Sequence, residues 1–376
     1  MSRIGVLVSL TAPARGRVED AVLALLQRLD PAEFRVTLVA PRALLDGVAG
    51  ELHGVPVDIE AAQADSWLRR RDVSRLSAFI GRARPHIVST HGARATMVAA
   101  PLAKWQGAKV VETCHGGGDR SRGRLLPHRM VARFVDRAIA VSEAARACLV
   151  GAGYPTDKVV VIPNGCDVSA FRGGVGRDAV RRELGIERGI PLIGVLGPLE
   201  PRMGHAELLE AWPSIVAEFP AARLLVTGEG SLRPRLDVRA GELGLRAAII
   251  FAGHRSDLPR VLDAVDVVTL PALSQGPAVM AIQAAAMGRP VVATAVDGMP
   301  EVIREARTGR LVPPADPAAL SRAIRGVLRD PLGAQRMGRA GRDFVLDRFS
   351  LDRQVSSTVR VYRDVVGTPR RLPRAA

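Results

Sequence analysis

The sequence predicts an α/β chain of two Rossmann-like, doubly wound domains, each a parallel sheet covered by helices on both faces. Three observations lead there. Short β-branched runs alternate with amphipathic helical stretches from one end of the chain to the other, which is the pattern of helix-wrapped parallel sheets. The length of 376 residues exceeds one ordinary core and suits two, at roughly 100 to 200 residues per domain. A Gly-rich stretch with little apolar content, Phe171 to Arg177, separates two similar series of runs and reads as a linker.

In the first series the expected strands are Ile4 to Ser9, Arg35 to Ala40, His86 to Thr90, Lys109 to Thr113, Ala138 to Val141 and Val159 to Ile162. In the second they are Leu192 to Leu196, Arg223 to Thr227, Ala248 to Phe251, Val265 to Leu270, Val291 to Ala293 and Arg310 to Val312. The expected domains are therefore residues 1–172 and 173–350. Residues 351–376 would form a helix from Leu351 to Val366 that returns toward the first domain, followed by a basic tail. Doubly wound sheets bind ligands beyond the carboxyl ends of their strands, so both crevices are expected to face one cleft.

Apolar residues make up 47% of the chain and charged residues 24%, ordinary values that exclude a disordered protein. No apolar run approaches the ~18 to 20 residues of a membrane span, and Ile4 to Val8 is too short for a secretory core, so the cytoplasm is the expected compartment. Cys114, Cys148 and Cys166 are an odd set without a CxxC pair, which argues for reduced thiols rather than a disulfide framework or a thiolate metal site. The formal charge of +15 rests on fifty arginines against three lysines. That bias has the character of coding composition on solvated faces. With only 3% aromatic residues for stacking, nucleic acid is not the expected partner. A positive field still favours nucleotide phosphates and anionic lipid headgroups.

The most informative segment runs from Leu270 through Pro271, Gln275, Gly276 and Pro277, then to Gln283 and Gly288-Arg289-Pro290. A strand ends at a turn, a helix opens near Pro277, Ala278 and Val279, and a Gly-x-Pro break leads into the next strand. Unpaired N–H groups and the positive dipole end make such a helix start a natural diphosphate site. The same pattern also describes an ordinary βαβ crossover with proline in its first turn.

At these residues the chain resembles the family 4 glycosyltransferases. The resemblance is carried by Val161 to Asp167 with Phe171, the loop Gly197 to His205, the turn Gly228-Glu229-Gly230, Phe251 to His254, Thr113-Cys114-His115-Gly116, Val141-Ser142 and Pro290 through Val302. It implies a GT-B fold, retention of anomeric configuration, and a UDP- or GDP-sugar donor. His115, Arg202 and Gln275 would then be the catalytic candidates. Gly16, Gly228, His254, Gly276, Pro277, Ala278, Val279 and Gln283 would contact the donor. The chain departs from the family where two glutamates usually stand, here Gln275 and Gln283, and where an arginine and a lysine usually meet the diphosphate, here Pro198 and Met203. Gln283 can still hydrogen-bond a ribose diol, whereas each lost cation removes a charge-assisted bond of roughly 1.5 to 3 kcal/mol. Arg202 could restore one contact, or be one surface arginine among fifty.

His91 also follows a strand and is read either as a site residue or as a cap of the next helix. No Asp-x-Asp pair or histidine spacing suggests a bound ion, so no cofactor and a metal-independent site are expected. Arg15-Gly16-Arg17 after the first strand reads as a phosphate-approaching turn or a plain exposed one. Leu76, Phe79, Ile80 and Ala83 form a helical stripe beside Arg71, Arg75 and Arg82. It would either dock on an anionic membrane or pack into the domain with a solvated charged face. A second basic stretch, Arg120 to Arg137, keeps peripheral membrane contact open. The expected activity is hexosyl transfer to a lipid-linked, polysaccharide or natural-product hydroxyl. Its rival is a weak or inactive homologue that serves as a binding partner.

Overall fold

The computed structural model describes residues 3–12, 16–62, 70–115, 128–174, 176–274 and 278–367. The chain divides into two compact units, Met1–Gly165 together with Leu351–Ala376, and Cys166–Ser350.

The first unit holds a seven-stranded sheet of β1 (Ile4–Ser9), β2 (Phe34–Pro41), β3 (Val57–Ala62), β4 (Ile87–His91), β5 (Lys109–Cys114), β6 (Arg137–Ala140) and β7 (Val159–Val161). Its order is β3-β2-β1-β4-β5-β6-β7, with every pairing parallel. The second unit holds β8 (Leu192–Leu196), β9 (Arg223–Thr227), β10 (Ile249–Gly253), β11 (Val267–Leu270), β12 (Val291–Thr294) and β13 (Gly309–Val312). Its order is β10-β9-β8-β11-β12-β13, again all parallel. Both are doubly wound, with strand order reversing at β1/β4 and at β8/β11. A crevice opens at such a reversal beyond the carboxyl ends.

Helices on both faces explain the unbroken apolar runs, since a parallel strand covered on two sides has no solvent-facing register. All six residues of β1 and all five of β8 are buried. The strand absent from the expectations, β3, lies at the sheet edge. Its sequence Val57-Asp58-Ile59-Glu60-Ala61-Ala62 carries two acids, and Ile59 is 48% exposed. An edge strand needs no apolar run.

The helix Arg70–Ala83 buries Leu76 and Ile80 against the sheet, with Phe79 and Ala83 beside them. Its apolar stripe therefore serves the core. Arg82 lies outside, stacked over the Phe79 ring at 4.8 Å and paired with Glu60 at 3.3 Å. The helix Leu351–Val366 packs Val355 and Tyr362 into the first unit. There the Tyr362 hydroxyl donates to Ser89 Oγ at 3.0 Å.

The Gly-rich stretch is not a free linker. The chain passes between units after Gly165, seven positions before the expected boundary at Arg172, because Cys166 N–H already bonds to Phe349 O and Phe171 is buried in the second core. Beyond it, the buried Asp263 carboxylate accepts from Gly174 N–H at 3.2 Å and from Gly176 and Arg177 N–H at 3.1 Å, and receives Arg289 at 2.7 Å. Burial alone would raise its pKa, but these N–H groups and Arg289 outweigh that and hold it below the ordinary carboxylate value. A carboxylate with a depressed folded pKa stabilises above its unfolded value and loses that contribution as pH falls through the folded one. Asp263→Ala should lower unfolding free energy in urea by about 3 to 5 kcal/mol, leaving Arg289 buried without its partner. The wild type should also lose stability more steeply than Asp263→Asn as pH drops below 3.8.

Candidate active site

In the second unit the turns leaving β8 and β9 interlock through backbone. Gly197 N–H donates to Thr227 O at 3.1 Å, Leu199 N–H to Glu229 O at 2.9 Å, Leu232 N–H to Leu199 O at 3.0 Å, and Gly228 N–H to Gly253 O at 2.7 Å. Gly197 and Gly228 take φ of 138° and 123°, conformations that favour glycine. A Cβ on Gly228 would collide with the Gly197 carbonyl oxygen. His254 follows β10 directly and is exposed.

Arg202 lies in the short turn Pro201–Met203, whose position is set from the loop after β11: Leu273 N–H donates to Arg202 O at 2.8 Å. Its side chain is 37% exposed, and Nε donates to Glu200 Oε2 at 2.8 Å. Met203 is buried as a core residue while Pro198 is exposed. His205 holds the loop by donating from Nε2 to Pro198 O at 3.1 Å, and burial keeps its imidazole pKa below the ordinary value. Ala278 and Val279 open the helix Ala278–Ala286 half-buried. Gln283, farther along it, hydrogen-bonds the Cys166 thiol, whose pKa burial raises to about 11. Gln275, Gly276 and Pro277 lie outside the described residues.

In the first unit His115 follows β5 and His91 ends β4. The rings meet with His91 Nδ1 and His115 Nε2 3.1 Å apart, their centroids 5.4 Å apart and their planes 31° apart. His91 does not cap the next helix, whose N-cap is Gly92. A small cavity beside the pair is also lined by Thr113, Asn164, Gln354 and Thr358. Among the described residues His91 Nε2 and Asn164 Oδ1 are buried without hydrogen-bond partners. Burial, reinforced by His115, holds the His91 pKa well below its ordinary value, so the ring is neutral. Gly16 caps the helix Arg17–Leu26 in extended backbone at φ −154°. Glu19 and Asp20 in its first turn already complement the positive helix end, which disfavours an added anion there. Arg15 and the Arg17 side chain lie outside the described residues.

Alternate residues of β5 build a second, unforeseen cluster. Glu112 is fully buried, the Tyr154 hydroxyl donates to its Oε2, His128 Nδ1 lies 3.0 Å from its Oε1, and His128 Nε2 lies 4.0 Å from Cys114 Sγ. Burial pulls the His128 pKa down, but hydrogen bonds to Cys114 and Glu112 and the Glu112 charge more than offset it, raising the value to about 10. The one sequence signal for this cluster is an acid inside a buried strand, Val110-Val111-Glu112. Among the described residues no group of three or more His, Cys, Asp or Glu is placed to hold a metal ion, and no helix is long and apolar enough to cross a membrane.

Gly228→Ala should cost about 2 to 3 kcal/mol of stability in denaturant unfolding, because Gly197 must retreat. A histidine with a raised folded pKa stabilises fully below its unfolded value and loses that contribution as pH rises through the folded one. Stability should therefore decline between pH 6.5 and about 10, and His128→Gln should flatten that decline in unfolding measured across this range.

Residues 18–170 match the model described as Glycosyltransferase Family 4, and residues 190–330 the model described as Glycosyl transferases group 1. The D-inositol 3-phosphate glycosyltransferase of Geodermatophilus obscurus is 33% identical over 271 residues, 68% of this chain and 59% of that protein. The GDP-mannose-dependent monoacylated alpha-(1-6)-phosphatidylinositol monomannoside mannosyltransferase of Corynebacterium glutamicum is 30% identical over 273 residues, 67% of this chain and 71% of that protein. Among solved structures, Anabaena HepE in complex with UDP aligns at a TM-score of 0.84 and 18% identity, over 96% of this chain and 100% of that one. The matches to two of the inositol phosphate enzymes span 60% and 59% of their lengths, less than two thirds. The two matched halves and the covered mannosyltransferase relative together place the chain in one family: it belongs to the group 1, family 4 glycosyltransferases of GT-B fold.

Proposed function

We propose that the protein is a metal-independent glycosyltransferase that moves a hexosyl unit from a nucleoside diphosphate sugar to an acceptor hydroxyl, with retention. The observation that carries this reading is the backbone-built corner of the second unit, where the Gly197 and Gly228 turns interlock at the carboxyl ends of β8 and β9. Without side chains between them, such turns let a diphosphate approach the main chain, and the start of the helix Ala278–Ala286 adds N–H groups and a positive dipole end. Arg202 supplies charge to the leaving diphosphate, Gln283 holds the ribose, and His115 with Gln275 orients the sugar. A UDP or GDP donor fits the names of the relatives, one a GDP-mannose-dependent enzyme and one crystallised with UDP. The phosphatidylinositol mannoside in one of those names makes a lipid-linked glycan the favoured acceptor class, with contact at the inner face of a membrane.

A second reading, a homologue that binds nucleotide but turns over slowly or not at all, draws on a specific observation. The Arg202 guanidinium already faces Glu200, and Met203 is spent on the core, so the diphosphate meets less net positive charge. Titrating UDP, GDP and their sugars by calorimetry, together with a transfer and donor-hydrolysis assay, separates the two. Turnover supports the enzyme; nucleotide binding with no turnover of any common donor supports the second reading. Arg202→Ala should weaken a diphosphate sugar roughly 10- to 100-fold while leaving the bare nucleoside unchanged. Equal losses for both would remove Arg202 from the phosphate site.

A further inference from the structure

We propose that His205 is a positioning residue for the donor diphosphate: its ring closes the loop from Gly197 to Gly204 onto the Pro198 carbonyl and so holds the main chain that the diphosphate meets. The inference rests on the reading of the Gly197 and Gly228 turns as the diphosphate corner and adds a residue that sets their geometry. Pro198 and Met203 stand in this loop where the family usually has an arginine and a lysine. With those charges gone, binding depends the more on where the backbone lies. His205 opens the helix His205–Glu218 and is 2% exposed. Its Nε2 lies 3.1 Å from the Pro198 carbonyl oxygen, which can only accept, so the ring hydrogen sits on Nε2. Burial lowers the imidazole pKa and keeps the ring neutral, so Nδ1 is a bare lone pair, buried with no partner among the described residues. The opposite tautomer would bury an unpaired N–H and set two acceptors against each other.

The Pro198 carbonyl also accepts from Glu200 N–H at 3.0 Å, and Glu200 O accepts from Met203 N–H at 3.0 Å. One oxygen, with two lone pairs, thus takes a donor from the start of the loop and another from its end. Both flanks of the loop are tied to neighbouring turns. Toward β9, Leu199 N–H donates to Glu229 O at 2.9 Å and Leu199 O accepts from Leu232 N–H at 3.0 Å. Toward β11, Leu273 N–H donates to Arg202 O at 2.8 Å, and Gly204, at φ 72°, lies so close to Pro271 that a Cβ would collide with its carbonyl oxygen. His205 supplies the side-chain bond that closes the loop between these two anchorages. Without it Pro198 O keeps one donor and the segment from Pro198 to Arg202 can shift, and a misplacement of about 1 Å is enough to weaken an oriented contact. His205 therefore acts through the loop rather than by touching the ligand.

The test compares His205→Met, which keeps a long side chain without a donor, with His205→Gln, whose amide N–H can take the place of the Nε2 donor. In calorimetry on the full chain, His205→Met should weaken whichever of UDP and GDP the wild type binds roughly tenfold, the loss of about one hydrogen bond, and leave the bare nucleoside unchanged. His205→Gln should restore most of that affinity. Without ligand, amide hydrogen exchange at Leu199 and Met203 should quicken roughly tenfold in His205→Met and stay near the wild type in His205→Gln. Unchanged diphosphate affinity in His205→Met overturns the proposal, as do equal losses for diphosphate and nucleoside, or no rescue by glutamine. Where His205→Met does not fold, the ring ¹⁵N spectrum of the wild type decides: a His205 hydrogen on Nε2 supports the closed loop, and one on Nδ1 overturns it. A wild type that binds neither UDP nor GDP removes the diphosphate reading and the functional half of the proposal with it, while exchange and spectrum still decide whether His205 closes the loop.

Discussion

Parallel pairing with both sheet faces covered is the constraint from which the rest follows. A strand buried on two sides must satisfy its backbone entirely within the sheet, and its side chains must all be apolar or internally paired. The two orders, reversing at β1/β4 and at β8/β11, then send the connections that leave the two strands to opposite faces of the sheet and leave a crevice at each reversal. His91 ends β4 and Gly197 follows β8, so the residues of interest in each unit stand beside such a reversal. The same constraint makes buried polar exceptions expensive.

Asp263 and Glu112 are buried carboxylates among the described residues that lie away from the glycine turns. Asp263 gathers the Gly-rich segment after Phe171 through three backbone N–H groups and Arg289. Glu112, in β5, sits between Tyr154 and His128. Removing one partner of a charge buried in this way leaves the other uncompensated, which is strongly destabilising. The β8 and β9 turns use the opposite strategy. They rely on glycine backbone and helix ends, devices that present N–H groups without fixed side-chain charge.

This division bears on function. A site built from backbone can bind the shape of a diphosphate, while stabilising charge on the leaving group asks for cations aimed at it. Arg202 faces Glu200, so its charge is shared before any ligand arrives. On the first unit, burial keeps the His91 ring neutral where it meets His115.

Sequence alone determined the class of fold, twelve of the thirteen strands found among the described residues, the helix Leu351–Val366 and the family, because these rest on local periodicity and on short motifs whose order along the chain is itself the signal. It did not reveal β3, since this edge strand, with Asp58 and Glu60 in it, carries no apolar run, and it read Phe171 to Arg177 as a linker because the buried Asp263 that holds the segment lies 86 to 89 positions away. His91 and His115 were each visible as histidines after strands, and Glu112 and His128 as isolated letters. Only tertiary structure paired them. Their partnerships depend on which strands lie side by side and which face each residue takes, and both are settled by long-range packing that no local spacing encodes.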